Sequence, residues 1–321
     1  MADIAALGEI LIDFTRSGTR PGGNALFECN PGGAPANVAV CAAKLGVKAA
    51  FIGCVGNDMF GSFLRQTLAS HGVSASSLVT SRERNTTLAF VSNDASGDRS
   101  FSFYRNFGAD TDLRAEDMDM NLVRSSRIFH FGSLSLTDEP SRSATIAALD
   151  AAKEAGVTVS FDPNLRPALW KSLDDAREQI ESVMNRADIV KISEEELLFL
   201  TGENTISRGA FLLAGRYGIP LLLVTLGAEG AFYRTDRFEG RVPAFGAGNV
   251  VDTTGAGDCF LGAFLSEFLA SGSDLRSADA DAVGRCACFA SAAAGICVTR
   301  RGAIDGMPSR GEVEALLALV K

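Results

Sequence analysis

At 321 residues, 46% of them hydrophobic, the chain is long enough to bury a large core as one α/β domain or two smaller ones. Lysine and arginine number 30 against 39 acidic residues, a formal charge of −9. That balance disfavours a nucleic-acid or anionic-membrane surface and leaves a local phosphate site open. The seven cysteines sit in apolar surroundings without a CxxC pair, a pattern that fits reduced thiols in a cytosol better than a disulfide framework or a zinc site. Asp3 and Glu9 stand where a signal peptide would need positive charge. No apolar run reaches the roughly 18 to 20 residues of a membrane-spanning helix, and Arg285 interrupts the longest candidate. The expectation is a soluble cytoplasmic protein.

Ile4 to Phe14 reads as one buried strand with Asp13 at its carboxyl end. In open parallel sheets ligands bind beyond that end, so Asp13 is a candidate for a ligand's polar groups; a helix cap or a salt-bridge partner is the alternative. Residues 16 to 30 form an irregular excursion with a short strand at Ala25 to Cys29. Pro31 to Ala39 then leads into an alanine-rich helix that closes at Gly46. Gly32 and Gly33 remove side chains where a ligand can approach the backbone, and Asn37 offers both a donor and an acceptor. Phe51 to Val55 is the next strand, followed by a helix after Gly61.

From Thr86 the pattern alternates. Thr86 to Asn93 and Arg99 to Arg105 flank Asp94 to Asp98, a hairpin by turn composition. Phe101, Phe103 and Arg105 would share one face, either as a floor for a polar ligand or as ordinary packing with a solvated arginine. Ile128 to Gly132 is a strand and Glu139 to Ala155 a helix; His130, alone inside the strand, reads as a core residue. Val157 to Phe161 ends at a loop where Pro163 and Pro167 hold Asn164 and Arg166 in place. A guanidinium there can bind phosphate or a carboxylate. Asp188 to Ile192 precedes Ser193 and three glutamates, of which Glu194 and Glu195 are explained by helix capping. Pro220 to Thr225 is a strand running into a turn at Leu226 to Gly230.

The stretch Val251 to Phe260 carries the clearest chemistry. Phe260, Leu261, Phe264, Leu265, Phe268 and Leu269 recur at helical spacing, so the preceding turn opens a helix. Its first amides lack intrahelical partners and carry the positive end of the dipole, which makes an anion site. Asp258 beside it can take a proton from a hydroxyl next to a phosphate. Asp252 and Thr254 offer oxygen ligands for a cation. The small residues Ala290 to Gly295 in a late helix either leave room beside a flat ligand or simply pack. No GxxxxGK[ST] loop and no strand-linked GxGxxG occurs, which argues against Walker and Rossmann nucleotide sites.

Asp-Thr-Thr-Gly-Ala-Gly-Asp at 252 to 258 resembles the C-terminal signature of the ribokinase-like (PfkB) sugar kinases. Gly-Gly-Ala-Pro-Ala-Asn-Val-Ala from Gly32, Leu45-Gly46 and the stretch Gly53 to Gly61 are similar to the N-terminal signature. Phe103-Tyr104-Arg105 followed by Ala109-Asp110, the run Phe129 to Leu136 and the loop Asp162 to Trp170 look like the fructokinase branch. The loop also resembles that of 2-keto-3-deoxygluconate kinases. Asn106-Phe107-Gly108 and Ser193 depart from the family pattern, which has a proline and serine, and an asparagine, at those places.

The resemblance implies one three-layer α/β domain over residues 1 to 321, with a central, mainly parallel sheet and a small β-sheet lid from about 15–31 and 86–106. It implies ATP as phosphoryl donor, with Asp258 as base and the amides of Gly255, Ala256 and Gly257 stabilising the transferring group. Asp13, Gly32, Gly33, Asn37, Phe103, Arg105 and Arg166 would bind the sugar, and Asn164, Thr225, Gly227 and Gly230 the nucleotide. Glu196 would organise Mg²⁺ through water, and Asp252 and Thr254 would line a site for a monovalent cation such as K⁺. Lids of this family often pair, so a homodimer is expected. D-Fructose is the expected acceptor. The alternatives are 2-keto-3-deoxygluconate, a nucleoside or aminoimidazole riboside and, from another class, a catalytically silent sugar-binding regulator.

Overall fold

The computed structural model describes residues 1–93, 99–246, 248–272, 274–275 and 277–319, with the backbone alone at 92–93 and 99–101. Thirteen strands are formed among the described residues, and their boundaries follow the apolar runs. They are β1 (Ile4–Leu7), β2 (Leu11–Thr19), β3 (Ala25–Gly32), β4 (Ala49–Gly56), β5 (Ser74–Ser81), β6 (Leu88–Asn93) and β7 (Arg99–Tyr104). The second half adds β8 (Ile128–Gly132), β9 (Thr158–Asp162), β10 (Ile189–Ser193), β11 (Leu221–Thr225), β12 (Ala231–Arg234) and β13 (Glu239–Val242). The large sheet has the order β13-β12-β11-β10-β9-β8-β1-β4-β5. It is parallel from β5 to β11 and turns antiparallel at β12 and β13.

Both faces of that sheet are covered, which is why its central strands are apolar on both sides rather than alternating with polar residues. Leu222 and Val224 face one way, with Phe129, Phe131, Val159 and Phe161. They pack on α3 (Met120–Ser125), α4 (Ser141–Glu154), α5 (Leu173–Met184), α6 (Glu194–Thr201) and α7 (Ile206–Tyr217). Leu221, Leu223, Ile4 and Ile189 face the other way. There they meet α1 (Ala34–Lys44), α8 (Ala256–Ala270), α9 (Ala280–Cys297) and α11 (Arg310–Leu319). On that same side α2 (Met59–Ser70) packs on β4 and β5, and the short α10 (Ala303–Gly306) contacts α1 and β3. By length and composition α9 could cross a membrane, but over half of it is buried in the protein, where it packs along α8.

A second, four-stranded sheet with the order β3-β2-β6-β7 forms the lid. Here the structure corrects the single strand expected over Ile4 to Phe14. β1 ends at Leu7 in the large sheet, and β2 begins at Leu11 in the lid. Gly8 is the cause of the break: its φ is 152°, and a Cβ placed on it would lie 2.5 Å from the Pro35 ring. Asp13 therefore stands inside a lid strand, opposite Asn30 and Ala89, and Glu9 takes the place just past the carboxyl end of β1. The short strand expected at Ala25 to Cys29 extends to Gly32. The turn expected at Asp94 to Asp98 and the side chain of Phe101 lie outside the described residues.

Candidate active site

The carboxyl ends of the central strands, the lid and the N-termini of α1 and α8 surround a cavity of about 630 Å³. Gly255 caps the start of α8, with a φ of 76° that an L side chain rarely adopts. A Cβ there would also lie 2.7 Å from that of Ala303, so the chain can turn at this point only without a side chain. The helix begins at Ala256, which puts Gly257 and Asp258 in its first turn. The Ala256 amide donates to the Thr253 carbonyl at 3.2 Å. The amides of Gly255 and Gly257 have no protein acceptor among the described residues. Of the three donors expected for the anion hole, Ala256 is thus already engaged.

Asp258 is buried, and each of its oxygens is held by a side-chain amide. Asn37 Nδ2 donates to Oδ2 at 2.7 Å and Asn164 Nδ2 to Oδ1 at 3.0 Å. Asn37 comes from the first turn of α1. Asn164 comes from the loop after β9 in a left-handed conformation (φ 45°), which asparagine tolerates better than most residues, and its own amide donates to Asp162. Both were expected to touch ligands, Asn37 the sugar and Asn164 the nucleotide; in this structure their side-chain amides also orient the base. Burial raises the pKa of Asp258, against the pull of Lys191, the Asn37 amide and Arg166. A carboxylate made more basic in this way is the better proton acceptor.

Three charged residues not assigned from sequence complete the floor. Lys191, on β10, donates to Asp162 Oδ2 at 2.9 Å, and a Cβ placed on Gly257 would lie 2.9 Å from its Nζ. Burial pulls its pKa down, but Asp162, Glu196 and Asp258 outweigh that and raise it, so the ammonium stays charged beneath the start of α8. The third is Glu9, which lines the cavity wall. The signal for Lys191 was a lone lysine within the buried run Ile189 to Ile192, and for Glu9 an acid immediately after a strand-ending glycine.

Asp13, Gly33, Phe103 and Arg166 line the same cavity. Burial pushes the carboxyl of Asp13 up to about 7, with Arg166 pulling it down and Asp258 pushing it up, so the three share one electrostatic neighbourhood. Gly32 is not on the wall; a Cβ there would lie 2.2 Å from Asp13 Oδ2, and its role is to leave space for that carboxyl. Arg105 is a correction. β7 ends at Tyr104, and the guanidinium turns inward to Asp110 (2.7 Å), Thr137 Oγ1 (2.8 Å) and the Leu134 carbonyl (2.8 Å). It is buried and absent from the cavity wall, and it props the lid rather than presenting itself to a ligand.

A second cavity of about 520 Å³ shares Thr225, Thr253, Ala256 and Gly257 with the first. Gly227 and Gly230 line it, as do Ser291, Ala294 and Gly295 from the small-residue stretch of α9. Gly230 (φ 95°) has no room for a side chain, since a Cβ would lie 2.1 Å from the Val242 carbonyl. The two cavities meet at the start of α8, the geometry for two ligands exchanging a group there.

Glu196 accepts from the amides of Leu165 (2.6 Å) and Ser193 (2.7 Å), the latter within a capping box that starts α6. Its carboxylate still lines the cavity and retains lone pairs. Among the described residues no cluster of three or more His, Cys, Asp or Glu side chains could hold a metal alone. That donor set fits Mg²⁺, which keeps its waters and binds through one or two carboxylates plus substrate phosphates. Asp252 ties its loop to the amides of Thr254 (2.8 Å) and Gly302 (3.1 Å), and Thr254 lines the cavity.

The model of the pfkB family carbohydrate kinases matches residues 1–310. Fructokinase-1 of Zea mays is 43% identical over 98% of this chain and 97% of its own length. A crystal structure of fructokinase with bound ATP from Xylella fastidiosa superposes with a TM-score of 0.92 at 35% identity, covering 100% of this chain and 99% of that one. Fructokinase from Vibrio cholerae, in a fructose, ADP and calcium ion bound form, gives 0.88 at 35% identity and 99% coverage of both chains. The chain belongs to the pfkB family of carbohydrate kinases.

Proposed function

We infer that the chain is a fructokinase, transferring the γ-phosphoryl group of ATP to a hydroxyl of D-fructose. The observation that carries the reading is the position of Asp258: its carboxylate is gripped by Asn37 and Asn164 on the wall of one cavity, at the point where a second cavity joins it. The sugar occupies the cavity under the lid, and the nucleotide lies along Gly227, Gly230 and α9. Asp258 takes the proton of the attacking hydroxyl. The amides of Gly255 and Gly257, with Lys191 behind them, stabilise the negative charge on the transferring group. Mg²⁺ held through water near Glu196 would neutralise phosphate charge, and K⁺ near Asp252 and Thr254 would steady the loop that opens α8.

A homodimer formed through the lid is part of the same reading, supported by the exposed Leu26, Phe27 and Tyr104 on the lid and by Phe107, 80% exposed, beside it. A cytoplasmic setting is supported by seven free cysteines. The test is ADP release with ATP and magnesium across D-fructose, 2-keto-3-deoxygluconate and ribosides, with and without potassium. D-Fructose is expected to give the highest kcat/KM, and preference for another acceptor would overturn the substrate assignment.

A further inference from the structure

Glu9 is a buried acid that the phosphoryl chemistry leaves unused. Its Oε1 accepts the Ala34 amide at 2.8 Å, and its Oε2 has no hydrogen-bond partner among the described residues. The residue is only 3% exposed yet lines the cavity that holds Asp258, beside Leu11, Ala34 and Leu134. A second orphan lies one turn further along α1: Asn37 gives its Nδ2 to Asp258, and its Oδ1 is likewise buried without a partner. Ala34 and Asn37 are three residues apart, so they share a helix face and differ by about 4.5 Å of rise. The two residues with unpartnered oxygens and the base thus line one cavity together.

A buried polar atom left unpaired costs about 1 to 3 kcal/mol, and such atoms are rare in folded proteins. A polyhydroxylated ligand removes that cost, because every hydroxyl both donates and accepts. We propose that Glu9 is a specificity-determining residue of the sugar site, its Oε2 hydrogen-bonding a substrate hydroxyl other than the one phosphorylated. The assignment rests on the sugar-kinase reading above. Burial pushes the carboxyl up to about 7 against the pull of the Glu9 and Ala34 amides, with Asp110 adding to the rise and Arg105 opposing it. A carboxyl that retains its proton can donate as well as accept.

The experiment measures KM for sugar and for ATP in the wild type, Glu9→Ala and Glu9→Gln, using D-fructose and its monodeoxy analogues. Glu9→Ala is expected to raise the KM for D-fructose roughly tenfold, the size of one hydrogen bond, and to leave the KM for ATP within about twofold. Glu9→Gln keeps an acceptor for the Ala34 amide and a donor toward the cavity, and its sugar KM stays within about threefold of the wild type. One deoxy analogue, lacking the partner hydroxyl, shows the loss in the wild type and no further loss in Glu9→Ala. An equal factor for every analogue, or an unchanged KM, would overturn the proposal. Should Glu9→Ala not fold, Glu9→Met, similar in length and unable to hydrogen-bond, replaces it with the same expectations. If the wild type prefers another sugar, the deoxy series of that sugar is used, so a wrong sugar and a wrong role for Glu9 give different results. If no sugar releases ADP, both readings fall.

Discussion

α1 and α8 open toward the same cavity from glycines in the left-handed region, Gly33 at φ 114° and Gly255 at φ 76°. At each, a Cβ would collide, with the Glu9 carbonyl at 2.4 Å or with Ala303 at 2.7 Å. What stands behind them differs: a buried acid at α1, an ammonium at α8. The Ala34 amide of α1 is capped by the Glu9 carboxyl, and Pro35 has no amide hydrogen to offer. At α8 the Gly257 amide is open, and the Lys191 ammonium sits close behind Gly257. Both helices carry the same dipole, yet only α8 has an open first-turn amide backed by a cation, the arrangement that suits an anion; on the reading proposed above, α1 faces neutral hydroxyls. The start of a helix becomes a phosphate site through the charge that backs it, not through its dipole alone.

That contrast can be broken by substitution. The largest effect is expected for Lys191→Met, which leaves Asp162 buried without its partner: a loss of about 3 to 5 kcal/mol in denaturant-monitored stability, together with weaker nucleotide binding. A loss below about 1 kcal/mol would mean that the ammonium is not what balances this floor. Next comes the acid behind α1. A carboxyl whose pKa rises on folding, here from 4.5 to about 7, binds more protons folded than unfolded. Its stabilising contribution is therefore full below about 4.5 and is lost as pH rises through about 7. Glu9→Gln has no such titration, so its stability relative to the wild type should improve by on the order of 3 kcal/mol between pH 4.5 and 8. Parallel stability curves for the two proteins would contradict the burial of that carboxyl. The smallest effect is expected at Asn37. Its amide helps hold the pKa of Asp258 down, so Asn37→Ala should move the acid limb of the kcat profile to higher pH.

The six strands from β4 to β11 of the large sheet were legible because each is a short apolar run, and α8 because its aromatic and leucine residues keep helical spacing; the sheet's outer strands β5, β12 and β13, richer in polar residues or glycine, were not. The lid was legible only in part. Apolar residues resume at Ile10 to Ile12 directly after Glu9, and nothing in them marks a change of sheet; the break is enforced by Pro35, 27 residues after Gly8. Asp258 and its glycines were readable from local chemistry. Lys191 and Glu9 were not, because their roles come from partners distant in sequence, Asp162 and Ala34. Arg105 was misplaced for the converse reason: alternation left it either facing a ligand or solvated, the family resemblance assigned it to the sugar, and Asp110 and Thr137 claim its guanidinium instead.

The account depends most on Asp258 accepting the proton of the sugar hydroxyl. Single-turnover phosphorylation of D-fructose by Asp258→Asn, measured alongside ATP binding, tests it directly. The expected result is a rate lower by about 10² to 10⁴ with ATP affinity within a few-fold of the wild type. A near-normal rate would show that another group takes the proton, and would remove the residue around which both cavities have been interpreted.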